Sequence, residues 1–264
     1  MNKLNTAKVA LIGGNGFIGQ HIVSALGQEG GSILVVDKKD IDLTHENCVE
    51  NLKNILVSNK INIVICLAAI KRQDGDSRRI FDDNNKISKN ICRSLDKINC
   101  RVIYYSSSAV YGEKNEQFEV DENFKVNPTS YYGEHKVISE EVYRRTIDSK
   151  KILVIRPPLI YSWLQKEGYQ PGGFIESAKS SKNIYLWGDG REKREFIHVE
   201  DAAEITKLLI KKECNGKVNM VSGKSHTYRL IAENIQEKTN CKIIERERTG
   251  NPVNHSYNNK RLKE

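Results

Sequence analysis

The chain has 264 residues, of which 38% are hydrophobic and 29% are charged, a composition that can bury a sizeable core and excludes a disordered protein. No run of about 18 apolar residues occurs and the N-terminus lacks a signal-like apolar segment, so we expect a cytoplasmic protein without a membrane span. The formal net charge of +8 comes from basic residues spread along the chain, which favours a solvated basic surface over nucleic-acid binding.

The first half of the chain alternates short apolar runs with helical patterns. The predicted strands cover residues 9–12, 33–36, 61–68, 101–105 and 151–155, and the predicted helices cover residues 17–29, 45–58 and 84–98. Near-continuous apolar strands that alternate with helices predict an α/β protein with a parallel sheet covered on both faces.

The pattern changes after Pro158. Residues 161–195 are rich in Gly, Lys and Ser and show no long periodic element, whereas Val199 to Leu209 reads as a helix with an acidic first turn. Residues 213–264 read as a small lobe. The six cysteines lack any Cys-x-x-Cys spacing, which predicts reduced, mostly buried thiols and no metal site.

A glycine cluster, Gly13-Gly14-Asn15-Gly16-Phe17-Ile18-Gly19, joins the first strand to the first helix. Glycines also serve ordinary turns, but here they would let the main chain approach a pyrophosphate at a helix N-terminus. Asp37 ends the second strand, where a carboxylate can bind ribose hydroxyls. Lys38 and Lys39 follow it, so NAD is favoured and NADP stays an alternative.

Several motifs in order resemble the extended short-chain dehydrogenase/reductase family, and within it the nucleotide-sugar epimerases, dehydratases and reductases. Besides the Gly-x-x-Gly-x-x-Gly spacing, they are "LAA" (67–69), "SSSAVYG" (106–112), "NPTSYYGEHK" (127–136), "IRPPLIY" (155–161) and "GDGREKREFIHVEDAA" (188–203). The resemblance covers residues 8–210 and continues weakly to the end. It implies a Rossmann-type, doubly wound parallel sheet over residues 1–160, with a contribution from about 196–212, and a small C-terminal substrate lobe from 161–195 and 213–264.

The resemblance implies Ser107, Tyr132 and Lys136 as catalytic residues. Tyr132 and Lys136 lie one helical turn apart and share a face, and an ammonium beside a phenol lowers its pKa from about 10. Ser107 would hydrogen-bond the reacting oxygen. Tyr131 points about 100° away around the helix, so we expect it to pack or to contact substrate instead.

The same resemblance implies further binding residues. For the cofactor these are Gly13, Gly16, Phe17, Ile18, Gly19, Asp37, Lys38, Asp42, Leu43, Leu67, Ala68, Ala69, Asn84, Tyr132, Lys136 and Pro158. Asn85 is an alternative to Asn84. For the substrate they are Ser107, Ser108 and Arg194, whose guanidinium would grip the diphosphate. We expect His198 to be structural.

The residues around Ser107 exclude some reactions of the family. Dehydratases that resemble this chain carry an Asp-Glu pair where Ser108 and Ala109 stand, and the fucose synthases use a cysteine that is absent here. The shortness of the chain favours reduction of a nucleotide-linked 4-keto-6-deoxysugar at C4, as a step in polysaccharide biosynthesis. A nucleotide-sugar 4-epimerase is the alternative, and a non-catalytic dinucleotide-binding protein is a remote one.

The expected ligand is therefore a nucleotide-diphosphate sugar. Relatives commonly dimerise through two helices, here those near residues 84–98 and 132–147, so a homodimer is expected. The region after Ile160 departs from the family, because Tyr161-Ser162-Trp163 replaces "YGP" and Leu159 stands where an asparagine is frequent.

Overall fold

The structure is a computed structural model that describes residues 3–114, 116–163, 172–248 and 250–264. The strands are β1 (Lys8–Ile12), β2 (Ser32–Val36), β3 (Ile63–Cys66), β4 (Arg101–Tyr105), β5 (Gln117–Val120), β6 (Ile152–Arg156), β7 (Leu159–Tyr161), β8 (Asn183–Trp187), β9 (Lys193–His198), β10 (Gly216–Asn219), β11 (Ser225–Thr227), β12 (Lys242–Arg246) and β13 (His255–Tyr257). The helices are α1 (Phe17–Gly27), α2 (Cys48–Ser58), α3 (Arg78–Leu95), α4 (Tyr131–Thr146), α5 (Gly172–Ser180), α6 (Val199–Lys211), α7 (Tyr228–Thr239) and α8 (Lys260–Lys263).

Within this described part, the chain divides into two units. The first comprises Met1–Gly112, Val126–Arg156 and Glu200–Val218, and the second comprises Glu113–Lys125, Pro157–Val199 and Asn219–Glu264.

A six-stranded sheet with the order β10-β6-β4-β3-β1-β2 forms the centre of the first unit. β1 pairs in parallel with β2 on one side and with β3 on the other, and β3, β4 and β6 continue in parallel. The strand order thus reverses beside β1, which is where ligands bind in doubly wound sheets. The predicted doubly wound parallel sheet is confirmed.

The core of the first unit follows from apolar spacing. On α3, Ile87, Ile91 and Leu95 recur at helical intervals and are all buried, together with Leu52 of α2 and Val102 of β4. Each such side chain contributes about 1.5–3 kcal/mol when it is fully buried. The apolar residues whose spacing predicts the helices are therefore the same residues that pack these helices against the sheet.

The ends of α3 differ from the prediction. It begins at Arg78 rather than at residue 84, because Ser77 caps it by accepting a hydrogen bond from Ile80 N at 3.4 Å. Its first turns carry Arg and Asp side chains, so the apolar pattern starts later than the helix does. The expected dimer through α3 and α4 stays a prediction.

The second unit contains three small sheets, ordered β11-β9-β7, β12-β8 and β13-β5. Residues 161–195 contain α5, β8 and the start of β9, which are all short elements. Phe174 and Ile175 of α5 pack with Ile184 of β8 and Ile235 of α7, partners from distant parts of the chain. Residues 164–171 of the predicted lobe lie outside the described residues.

One segment falls in a different unit from the one predicted. Residues 113–125 were expected in the first domain but belong to the second unit. The reason is a pairing between β5 and β13, in which Gln117 is opposite His255. Glu122 adds a second long-range tie, since its carboxylate accepts a hydrogen bond from Asn219 N at 2.7 Å.

Two features of the described residues concern membrane-spanning helices and the state of the cysteines. None of their helices combines the length and the apolar character that crossing a bilayer requires. The six cysteines are thiols, and all except Cys214 are buried. Burial raises the pKa of the Cys66 thiol to about 12 and that of Cys100 to about 11, which makes both unreactive at neutral pH.

Candidate active site

The glycine loop lies between the end of β1 and the start of α1 at Phe17. Gly13 has a φ of 87°, and a Cβ added there would lie 2.8 Å from Ala68 N. A Cβ at Gly19 would collide with the main chain of Gly14. These two glycines therefore let main chain pack against main chain at the end of β3 and within the loop. The N-terminus of α1, where a phosphate could bind, follows directly.

Asp37 lies against this loop. Its Oδ2 accepts a hydrogen bond from Asn15 N at 3.0 Å, while its own N–H donates to Asp40 Oδ2 at 2.9 Å. A fixed, half-buried carboxylate beside the glycine loop suits the hydroxyls of a ribose. Lys38 and Lys39 are exposed.

Asp42 and Leu43 are held by local and tertiary hydrogen bonds. Asp42 accepts from both the N–H and the hydroxyl of Thr44, at 2.9 and 2.6 Å, and these bonds lower the pKa of the Asp42 carboxyl. Leu43 is buried, and its carbonyl accepts from Asn90 Nδ2 at 3.0 Å. Their roles toward a cofactor stay predictions.

Asn84 fixes the chain that follows β3. Its Oδ1 accepts from Ile70 N at 2.7 Å, and its Nδ2 donates to Ile70 O at 3.1 Å. This closes the segment Leu67-Ala68-Ala69 against α3. Among the described residues the buried Oδ1 of Asn85 has no partner, so Asn84 rather than Asn85 supports that segment. Taken together, these residues fit a dinucleotide that would bind at the glycine loop and at Asp37.

The N-terminus of α4 is tightly defined. Ser130 caps the helix by accepting from Gly133 N at 3.1 Å, and Tyr132 N donates to Asp76 Oδ1 at 2.9 Å. A Cβ at Gly133 would lie 2.6 Å from Ala109 O. Only a glycine lets α4 approach the turn after Ser107 this closely.

Tyr132 and Lys136 share one face of α4. The Lys136 Nζ lies 5.6 Å from the centroid of the Tyr132 ring and donates to Tyr105 O at 2.8 Å. Lys136 is 4% exposed, and burial lowers its pKa from 10.5 to about 8, against the opposing effect of Glu140. Its ammonium favours the phenolate form of the neighbouring tyrosine.

His135 and Tyr131, which are neighbours of Tyr132 on α4, lie in different environments. His135 is fully buried with its ring 5.3 Å from that of Tyr132, and burial lowers its pKa to about 2, so it is a neutral imidazole. Tyr131 is 38% exposed and contacts Phe81 of α3, with ring centroids 5.8 Å apart. Tyr132 therefore shares the face of Lys136, and Tyr131 does not.

Ser107 follows β4 and caps the 3₁₀ turn Ser108–Tyr111. Its Oγ accepts from Ala109 N at 3.1 Å, which leaves the hydroxyl hydrogen to donate to another oxygen. Ser106, by contrast, is buried and donates to Glu140 Oε1 at 2.5 Å. This connection and the Glu140–Arg156 ion pair beneath it were not predicted, because charged residues on a helix usually face solvent.

Pro158 and Arg194 belong to the second unit. Arg194 forms an ion pair with Glu192 and also donates to Val253 O, and Arg248 binds the other oxygen of Glu192 at 2.6 Å. Glu192 and Arg248 were missed in the sequence. The ring of His198 contacts Tyr161 with centroids 5.3 Å apart, which agrees with a structural role.

A cleft of about 410 Å³ lies beside these arginines in the second unit. Its lining includes Phe174, Tyr185, Leu186, Trp187, Gly190, Glu192, Tyr228 and Arg248. Among the residues described, no cluster of His, Cys, Asp and Glu could hold a metal ion. The lining of the cleft therefore combines aromatic side chains with one ion pair, Glu192–Arg248.

Comparisons with known proteins agree with this architecture. Over 254 aligned residues the chain is 27% identical to a UDP-N-acetyl-alpha-D-glucosaminuronate decarboxylase of Bacillus cytotoxicus, with 87% of this chain and 79% of the relative covered. It is 28% identical over 256 residues to a putative UDP-glucose 4-epimerase of Methanocaldococcus jannaschii, with 87% and 82% covered. The crystal structure of UDP-glucose 4-epimerase from Thermus thermophilus with NAD superposes with a TM-score of 0.80 at 21% identity, covering 97% and 92%.

The family follows from a direct match to a family model. The model of the NAD dependent epimerase/dehydratase family matches residues 9–221, which contain the glycine loop, Ser107, Tyr132 and Lys136. The expected resemblance to this family is confirmed. The chain belongs to the NAD dependent epimerase/dehydratase family.

Proposed function

We propose that this protein epimerises a nucleotide-diphosphate sugar at C4, with NAD as its cofactor. The observation that carries the proposal is the pair formed by Tyr132 and the buried Lys136, whose Nζ lies 5.6 Å from the Tyr132 ring. NAD, when bound, supplies the acceptor and the donor of the C4 hydride.

The residues of the chain handle the proton at the C4 oxygen. Tyr132 removes that proton and later returns it, which contributes about 10²- to 10⁴-fold when the group is well positioned. The Lys136 ammonium beside the ring favours the phenolate form that accepts this proton. Ser107 donates its hydroxyl hydrogen to the same oxygen and holds it beside the phenol.

Charged and aromatic residues of the second unit support a nucleotide diphosphate as the part of the substrate that this unit binds. Arg248 lines the cleft beside Glu192, whose carboxylate also pairs with Arg194. A guanidinium is well suited to a diphosphate. The exposed ring of Trp187, which lines the cleft, offers a face for a planar base.

Epimerisation at C4 is the first candidate because the chain is 28% identical to a protein described as a putative UDP-glucose 4-epimerase. The earlier preference for a reductase depends on chain length, which does not concern the site. Reduction of a nucleotide-linked 4-keto-6-deoxysugar is the second candidate. Lys38 and Lys39 favour it, since they are exposed beside Asp37 and could pair with the 2′-phosphate of NADP(H).

The test is a substrate panel with the purified protein and either cofactor. The panel contains UDP-glucose, UDP-galactose, UDP-N-acetylglucosamine, UDP-N-acetylglucosaminuronate and a nucleotide-linked 4-keto-6-deoxysugar. Sugars are separated by chromatography while the absorbance of the reduced nicotinamide is followed. Interconversion of C4 epimers without net consumption of reduced cofactor is expected.

Other outcomes assign other reactions. Stoichiometric consumption of reduced cofactor by the keto sugar indicates the reductase, and loss of the carboxyl group from the uronate indicates a decarboxylase. Binding of NAD with no conversion of any sugar contradicts the proposal. The Tyr132→Phe variant is the control for contaminating activity.

A further inference from the structure

A buried ion pair lies one helical turn beyond Lys136. Arg156, at the end of β6, is 2% exposed and donates to both oxygens of Glu140, at 2.9 and 2.6 Å. Its remaining nitrogen, Nη1, donates to the hydroxyl of Tyr111 at 2.8 Å. A bidentate pair of this kind fixes the positions of both side chains.

This pair holds both ends of the segment that carries Ser107. At the start, Ser106 donates to Glu140 Oε1 at 2.5 Å. At the end, Tyr111 accepts from Arg156. Lys136 adds a third tie by donating to Tyr105 O, so Tyr105 and Ser106 are both joined to α4.

The alternative interpretation is that the ion pair has a purely structural role and only joins α4 to β6. Buried ion pairs are weak contributors to stability, and apolar replacements are often as stable. That interpretation does not by itself account for the hydrogen bond from Ser106, which joins the same carboxylate to the residue directly before Ser107. A reacting group must be held to within about 0.5 Å to be effective.

We propose that Glu140, held by Arg156, is a positioning residue that acts through Ser106 to orient Ser107 toward the C4 oxygen beside Tyr132. This inference rests on the proposed function. Glu140 touches neither the substrate nor the cofactor in this scheme. Its effect on turnover passes through the hydrogen bond from Ser106.

The principal test is Ser106→Ala, which removes that hydrogen bond and leaves the Glu140–Arg156 pair intact. The value of kcat should fall about tenfold to a hundredfold, as for other groups that support a reacting residue. The KM for the sugar and the Kd for NAD should stay within a factor of two of the wild type. The matched control is Ser94→Ala, since Ser94 is a fully buried serine that donates only within its own helix, to Asn90 O at 2.8 Å.

A double-mutant cycle separates positioning from a structural role. Glu140→Gln should lower kcat in the wild-type background, and it should cost much less in the Ser106→Ala background, because the two changes break the same connection. A merely structural ion pair predicts additive effects. If Glu140→Gln does not fold with Arg156 left unpaired, the cycle is measured in an Arg156→Met background, with Arg156→Met alone as its reference, because that change also removes the hydrogen bond to Tyr111.

A readout without substrate keeps this inference separate from the proposed function. Ala109 N donates to Ser107 Oγ and Gly112 N to Ala109 O, so hydrogen exchange at these amides reports how firmly the segment is held. Ser106→Ala should speed their exchange about tenfold, the value of one hydrogen bond, and Ser94→Ala should not. Inactive wild-type protein contradicts the proposed function alone, whereas unchanged exchange or a kcat equal to that of wild type overturns the role of Glu140.

Discussion

Replacing Lys136 by methionine should leave the fold as stable as the wild type or more so, while turnover is lost. Lys136 is 4% exposed, and burial lowers its pKa from 10.5 to about 8. At neutral pH this depression costs the folded state about 3 kcal/mol. Methionine has a similar length, carries no charge and adapts to irregular space.

A hydrogen bond of Lys136 opposes this gain. The Lys136 ammonium donates to Tyr105 O at 2.8 Å, and a buried carbonyl left without a donor costs about 1–3 kcal/mol. Glu140 keeps Arg156 as its partner in the variant. The net change in the free energy of unfolding at pH 7 should therefore lie between no change and a gain of about 2 kcal/mol.

The pH dependence of the difference identifies its cause. The folded-state pKa of Lys136 lies below its unfolded value, so between about pH 8 and 10.5 the unfolded chain holds one more proton than the folded one. The stability that Lys136 contributes therefore rises with pH across that window. The advantage of Lys136→Met should be complete at pH 7 and should shrink as the pH rises above about 8.

The assay is urea denaturation of both proteins at neutral pH and at about pH 9.5, inside the window where the two states differ in protonation. Lys89→Met, a change at an exposed lysine of α3, is the control and should stay within about 0.5 kcal/mol at both values. A loss of more than about 2 kcal/mol at pH 7, or a difference that does not change with pH, would refute the reasoning.

Three further predictions concern the same unit. Gly13→Ala should weaken NAD binding at least tenfold and lower stability by about 1–2 kcal/mol because of its positive φ. Gly27→Ala, in open space, should raise stability by about 0.4–1 kcal/mol. NAD titration and thermal denaturation measure both variants, and equal effects of the two changes would contradict the role of close main-chain packing at Gly13. Tyr132→Phe should reduce turnover about 10²- to 10⁴-fold with NAD affinity kept, and Tyr131→Phe should be close to wild type; if Tyr131→Phe is the more damaging in steady-state assays, the assignment of the helix face is wrong. Asn84→Ala should lower the free energy of unfolding by about 2–3 kcal/mol in urea, since it leaves two main-chain groups without partners, and a change below about 0.5 kcal/mol, the level of a surface substitution, would exclude that support.

Local patterns are enough to indicate the candidate cofactor residues. The glycine loop, Asp37 and the Tyr132–Lys136 spacing are each contained within a few residues, and the alternation of strands and helices then brings their ends to one edge of the sheet. The membership of residues 113–125 in the second unit depends instead on β5 pairing with β13. No local signal in either strand indicates the partner.

Two adjacent carboxylates on α4 show a second kind of limit. Glu140 and Glu141 are chemically identical in the sequence, yet Glu140 pairs with the buried Arg156, and Glu141 pairs with the exposed Arg144 and Arg145. Helical periodicity places them about 100° apart, and only the position of β6 decides which one is buried. The supporting part of the site therefore follows from packing and not from motifs.

Tyr132, Lys136 and Glu140 recur every four residues along one face of α4, and Arg156 of β6 continues the series. The groups are a phenol, an ammonium, a carboxylate and a guanidinium, so each charge lies beside one of opposite or potentially opposite sign. Burial lowers the pKa of Lys136 to about 8, and a neutral amine would not favour the phenolate. With that pKa, about nine-tenths of the Lys136 side chains are charged at pH 7. An ammonium therefore lies beside Tyr132 at neutral pH, in the form that favours the phenolate, and Arg156 pairs with the carboxylate that follows on the same face of α4.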